Sequence, residues 1–99
     1  MERERITMAL NFEITAKRII LRDDVKELSW VEYEEEDGTI HLIKTFTDRE
    51  YRGRGYASQV VEKALEFADS YSRIKVSCPY IKSWIEEHGY KREVEFVDT

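Results

Sequence analysis

Three arginines and two glycines crowd into the stretch Asp48-Arg49-Glu50-Tyr51-Arg52-Gly53-Arg54-Gly55-Tyr56-Ala57-Ser58. Glycines two residues apart let the backbone turn tightly and approach a ligand with no Cβ in the way. Helical periodicity begins near Gly55, so the free N–H groups of a helix start, and the positive end of its dipole, follow the glycines directly. Strand, glycine loop and helix N-terminus together suit a phosphate or pyrophosphate. Arg49, Arg52 and Arg54 put full positive charge there in a chain whose net charge is −5. The stretch is not a Walker A loop, because no Gly-Lys-Ser/Thr follows. Nor is it the three-glycine dinucleotide fingerprint, because Ser58 holds the third glycine's place. The plainer alternative is a surface loop whose glycines only turn the chain.

Cys78-Pro79-Tyr80 is the second stretch with chemistry in it. Pro79 fits the first position of a helix, where its missing N–H costs nothing, which makes Cys78 the N-cap. The positive end of a helix dipole favours the thiolate, the reactive form. Such a thiol could accept an acyl group or give a proton to a leaving thiolate; the alternative is a small buried cysteine packed behind Ile74 and Val76. Tyr80 and Tyr90 are acids by type, although tyrosines more often pack in the core or at its rim. His88 falls on an apolar helix stripe and reads as a satisfied core histidine. His41 has no carboxylate or cysteine at metal-ligand spacing, so no metal site is expected.

The run Glu50-Tyr51-Arg52-Gly53-Arg54-Gly55-Tyr56-Ala57 resembles the acyl-CoA pyrophosphate loop of the GNAT superfamily of N-acetyltransferases. That loop usually reads Gln/Arg-x-x-Gly-x-Gly/Ala, and Glu50 takes the Gln/Arg place here. The resemblance extends to the short, single-domain GNAT-like family, whose members read His-Thr-x-Val-Pro before the loop, Cys-Pro-Tyr-Val after the next strand and His-Pro-Glu-Tyr near the end. Those places hold Lys44-Thr45-Phe46-Thr47, Cys78-Pro79-Tyr80-Ile81 and His88-Gly89-Tyr90. The resemblance covers residues 19 to 92. It implies acetyl-CoA, or coenzyme A, bound by Thr45, Phe46, Thr47, Arg52, Gly53, Arg54, Gly55, Tyr56 and Ala57. It also implies Cys78 and Tyr80 as catalytic candidates, and an amine on a small molecule or a protein as the acetyl acceptor. In larger GNAT enzymes a tyrosine one helical turn before a Gly-Phe pair often serves as acid. The matching residue is Ile85, ahead of Gly89-Tyr90, and that departure raises the weight on Cys78. Lys44, where the family has His, suits an electrostatic role near phosphates or an acidic substrate.

Ninety-nine residues predict one domain with one modest core, a GNAT-like acyl-CoA-binding domain over 1–99 with a frayed start within residues 1–10. No run reaches the ~20 apolar residues of a membrane span, and Met1-Glu2-Arg3-Glu4-Arg5 has no apolar core like that of a signal peptide. One cysteine excludes an internal disulfide and fits a reducing compartment, so the expected location is the cytoplasm. The net negative charge argues against nucleic acid as a general partner.

The elements that must position these groups follow from periodicity. Strands are expected over residues 11–15, at Ile19-Ile20-Leu21, and over 26–34, where the apolar parity switches between Trp30 and Val31 as in a bulge or a strand covered on both faces. Arg22-Asp23-Asp24 marks a turn and Asp37-Gly38 a hairpin. In the return strand, residues 39–47, strict alternation puts Ile40, Leu42 and Phe46 on one face and His41, Ile43 and Thr45 on the other. Ala57, Val60, Val61, Ala64, Leu65, Ala68 and Tyr71 stripe a helix. A strand follows over 73–78, then a helix from Pro79 that stops at Gly89, then a closing strand over 92–97. The order predicts an α/β (α+β) fold, a mixed, mostly antiparallel sheet with two helices packed on it and helices on its faces. The helix between strands 39–47 and 73–78 requires those two to run parallel. In GNAT-like folds they splay, and pantetheine lies in the gap. By the resemblance, the leading reading is an acetyl-CoA-dependent N-acyltransferase. Its rivals are a CoA-binding module without catalysis and a small interaction domain whose basic loop docks an acidic partner.

Overall fold

The computed structural model describes residues 9–98. Most of the expected frayed start, residues 1–8, therefore lies outside the described residues; Ala9 and Leu10 are exposed and outside regular structure. The chain runs β1 (Asn11–Ile14), β2 (Arg18–Arg22), β3 (Glu27–Glu36), β4 (Thr39–Thr47), a 3₁₀ turn at Arg49–Tyr51, α1 (Tyr56–Ala68), β5 (Arg73–Val76), α2 (Pro79–His88) and β6 (Glu95–Phe96). The six strands form one sheet in chain order. Pairing is antiparallel from β1 to β4 and parallel for β4–β5 and β5–β6.

Local chemistry explains most boundaries. Asp37 and Gly38 have φ of 50° and 80°, as a two-residue hairpin needs when its twist must match right-handed strands. The Asp23 carboxylate accepts from the N–H groups of Val25 and Lys26, both at 2.8 Å, closing the turn between β2 and β3. Pro79 opens α2 and Gly89 ends it. The closing strand is shorter than expected: only Glu95–Phe96 pairs with β5, and the ladder stops where β5 itself ends, at Val76 opposite Phe96.

One core cluster joins Ile19, Leu21, Val31, Tyr33, Ile40, Leu42, Ile74 and Val76 of the sheet to Val60, Val61, Ala64, Leu65 and Ala68 of α1 and Ile81 of α2. Both helices thus share one core on one sheet face, where the sequence suggested helices on its faces. Ile20 and Leu28 are buried outside that cluster. Near them the Trp30 and Phe46 rings pack at a 31° tilt with centroids 4.5 Å apart, and the Arg18 guanidinium lies 5.0 Å above Trp30. The parity switch in β3 therefore reflects cover on both faces, and a register shift also leaves Leu28 unpaired between Ser29 and Glu27.

Strict alternation fails in β4. Glu32 pairs with Lys44 and Tyr33 with Leu42, so Ile43 is an extra residue, a β-bulge. Past it the parity inverts. Thr45 and Thr47 stand opposite Val31 and Ser29, while Phe46 stands opposite Trp30. Phe46 therefore does not share a face with Ile40 and Leu42. Fully buried Ser29 pins this end, donating to the Phe46 carbonyl at 2.8 Å and sharing a 2.9 Å hydrogen bond with Thr47.

Tyr71, at the end of the α1 stripe, donates to Glu35 at 2.7 Å. Burial, then the hydrogen bond and charge of Glu35, push its phenol up to about 12 from 10.0. A folded-state pKa above the unfolded one contributes stability that is intact below about pH 10 and lost as pH rises through about 12. Thermal melts of wild type and Tyr71→Phe should differ by a constant margin up to pH 10 and converge toward pH 12. A gap that stays constant across that window would remove Tyr71 from the alkaline transition.

Candidate functional site

The loop between β4 and α1 is built in three steps. Asp48 caps the 3₁₀ turn, its carboxylate accepting the Glu50 N–H at 3.0 Å. Gly53 and Gly55 then take φ of 83° and 82°, values that L side chains adopt only with strain. A Cβ added at either glycine would meet nothing within 4 Å, so the loop backbone is bare on its open side. Gly55 is the N-cap of α1, and among the described residues no side chain caps that end. The first intrahelical bond is Gln59 N–H to the Gly55 carbonyl, which leaves the N–H groups of Tyr56, Ala57 and Ser58 without helical partners.

These groups border a cleft of about 440 Å³ lined by Thr45, Phe46, Thr47, Tyr51, Arg52, Gly53, Gly55, Tyr56, Ala57, Ser58 and Tyr80. Its long wall arises from the sheet. The last strand pairing between β4 and β5 is Leu42 with Val76, followed by one bond from Ser77 N–H to the Leu42 carbonyl at 3.0 Å. Beyond that point β4 runs on to Thr47 with no strand among the described residues beside its outer edge. The Ile43 bulge turns Thr45 and Thr47 to the helix side, where the cleft lies.

Eight of the nine residues expected to bind a cofactor, Thr45, Phe46, Thr47, Arg52, Gly53, Gly55, Tyr56 and Ala57, thus come together around one opening. Arg54 does not line it; its guanidinium lies 5.3 Å from the Tyr51 ring centroid. Sequence reasoning missed Tyr51 and Ser58 as lining residues. Ser58 is also the anchor between the helices, accepting from Trp84 Nε1 at 2.8 Å. Its signal was its place in the first turn of α1.

Cys78 is the N-cap of α2, on the buried side as its parity with Ile74 and Val76 predicts, and only 5% exposed. Its Sγ lies 3.4 Å from Thr45 Oγ1, so the thiol bridges β4 and the chain after β5 just past the point where the two strands part. It reaches the cleft through Thr45 rather than lining it. Tyr80 lines the cleft directly. Burial first, then the charges of Glu87 and Cys78, raise its phenol above the usual tyrosine value, so it stays protonated at neutral pH.

The other candidates stand apart. His88 is exposed and not in the core; its ring stacks on Trp84 at 4.1 Å, and its Nδ1 lies 3.0 Å from the Trp84 carbonyl. The α2 stripe ends at Ile85, the last residue of α2 packed against the core; Glu86, Glu87 and His88 are exposed. His41 Nε2 lies 3.0 Å from Ser77 Oγ, and among the described residues no three metal-ligating side chains cluster. Lys44 is exposed, opposite Glu32, and does not line the cleft. Tyr90 is committed to the fold, donating to the Leu65 carbonyl at 2.7 Å.

The arrangement has two chemically distinct ends. Free N–H groups, a helix dipole and Arg52 at one end suit an anion. A thiol, a threonine hydroxyl and a phenol gather toward the other. An elongated ligand with an anionic head fits that order. A family model described as GCN5-related N-acetyl-transferase matches residues 12–94. No curated protein matches the chain. Among the described residues no helix is long and apolar enough to cross a membrane.

Proposed function

The chain belongs to the GCN5-related N-acetyl-transferase family, and we propose that it binds acetyl-CoA in the cleft between β4, the glycine loop and α2 and transfers the acetyl group to an amine. One acyl-CoA-binding domain, acting in the cytoplasm with its single thiol reduced, completes the reading. The observation that carries it is the parting of β4 from β5 beside an uncapped helix start. A gap in a parallel pair admits a narrow chain, and the helix start takes the anionic head of the same molecule.

Bound acetyl-CoA supplies an acetyl group already activated as a thioester. The chain's residues supply the rest. The N–H groups of the Gly53–Ser58 stretch would hold the pyrophosphate, with Arg52 at the cleft adding charge. The outer edge of β4 beyond Leu42 would offer backbone N–H to the acetyl oxygen, where negative charge would develop. Tyr80, held protonated, is a proton donor at the cleft wall. Cys78, 3.4 Å from Thr45 Oγ1, would either take the acetyl group as CoA leaves as a thiolate and then pass it to the amine, or give a proton to that departing thiolate. The amine must arrive neutral and lose a proton to water. Positioning of the two reactants provides much of the rate.

Acetyl-CoA should stabilise the fold. At ~100 times its dissociation constant a ligand adds about 2.7 kcal/mol, which raises the melting temperature by roughly 10 °C in a domain this size. Native mass spectrometry of freshly purified protein should also find CoA carried through purification. Unchanged melting at millimolar acetyl-CoA would end this reading.

A further inference from the structure

The two helices are joined by a single polar bond, and it lies at the cleft. Trp84, on α2, is half-buried and packs against the core. Its Nε1–H donates at 2.8 Å to the hydroxyl of Ser58, in the first turn of α1. Among the described residues this is the one hydrogen bond between α1 and α2. An indole nitrogen only donates, so the bond fixes the Ser58 oxygen as an acceptor. A hydroxyl carries one hydrogen, and that hydrogen is left for another partner. A helical serine can turn it back to a carbonyl four residues earlier. For Ser58 that carbonyl belongs to Arg54, ahead of the helix, and among the described residues Ser58 Oγ makes no second hydrogen bond. Ser58 lines the cleft, beside the unpaired N–H groups of the α1 start.

We propose that Trp84 is a positioning residue for the pyrophosphate of acetyl-CoA: by donating to the Ser58 oxygen, it commits the Ser58 O–H to the ligand. This inference rests on the acetyl-CoA reading and adds an oriented side-chain donor to the backbone N–H groups of the loop. A hydroxyl donating to a phosphate oxygen forms a charge-assisted bond, stronger than one to a neutral acceptor. Without the indole N–H the hydroxyl rotates freely, and its orientation must be fixed at the moment of binding. The same bond ties α2, which carries Cys78 at its N-cap and Tyr80 in its first turn, to the helix start that takes the anionic head.

The test is a double-mutant cycle on CoA affinity, measured by calorimetric titration below the melting transition of each variant. Trp84→Phe keeps an aromatic ring on α2 and removes the donor. Ser58→Ala removes the hydroxyl and should weaken CoA about tenfold, the usual loss for a hydrogen bond to a charged group. Trp84→Phe should weaken it about three- to tenfold, and the double variant should lie within about twofold of Ser58→Ala alone, because the two residues act as one unit. A residue that only packs α2 against α1 would lower affinity equally with or without the Ser58 hydroxyl, and that additive result overturns the proposal. So does wild-type affinity in Trp84→Phe or in Ser58→Ala. Wild type that fails to bind CoA is a different outcome: it overturns the acetyl-CoA reading itself, and this inference with it.

Discussion

Replacing Gly53 or Gly55 by valine should abolish CoA binding, a loss of at least about a hundredfold by calorimetric titration, in a protein that remains folded. Both residues have positive φ, and a β-branched residue held there costs about 1–3 kcal/mol. That is within the reach of a domain with about 5–15 kcal/mol of stability. Nothing lies within 4 Å of an added Cβ, so no protein atom is displaced. The open space in front of each glycine is where the pyrophosphate is proposed to lie, and a branched side chain would fill it. Gly38→Val supplies the control: it has a similar φ of 80° and sits in the distant hairpin turn. It should cost stability and leave CoA affinity alone. Unchanged affinity in the two loop variants would return the glycines to the simple task of turning the chain.

The features legible in the sequence were those that depend on neighbours along the chain. The Asp37-Gly38 turn, the Pro79 and Gly89 helix limits and the α1 stripe each follow from the conformational limits of a few adjacent residues. The pairing of β4 with β5 followed from the helix between them. What escaped depends on partners distant in sequence. The Ile43 bulge exists because Glu32 and Tyr33 pair with residues two apart, and no periodicity within β4 announces it. Its consequence is functional: without it, Thr45 would face away from the cleft and from Cys78. His88 continues an apolar spacing, yet it is exposed and its ring lies on Trp84, so spacing alone could not tell a core position from a surface one. Arg54 belongs to the loop by sequence, but its side chain lies on Tyr51, and the direction of a long exposed side chain is not encoded in spacing.

Cys78→Ala should lower turnover at least about a hundredfold while CoA affinity stays within about twofold. The thiol sits at the apex of the gap, at the start of α2, with Thr45 Oγ1 3.4 Å away. That position, beside the end of the β4–β5 pairing, is where an acyl group carried in the gap would come within reach of sulfur. Tyr80→Phe should be milder, about tenfold or less, because a departing thiolate needs little protonation. Loss of a small buried side chain at position 78 costs about 1 kcal/mol, a melting decrease of roughly 4–8 °C, so CoA binding measured below the transition separates folding from chemistry. Intact-mass measurement after mixing wild type with acetyl-CoA, with acceptor withheld, should find one acetyl group, mapped to Cys78 and absent from Cys78→Ala. A variant that turns over only a few-fold more slowly, with no acetylated wild type, would make the thiol a proton donor. Wild-type turnover in Cys78→Ala would leave it a packing residue and assign the chemistry to positioning, the β4 edge and water.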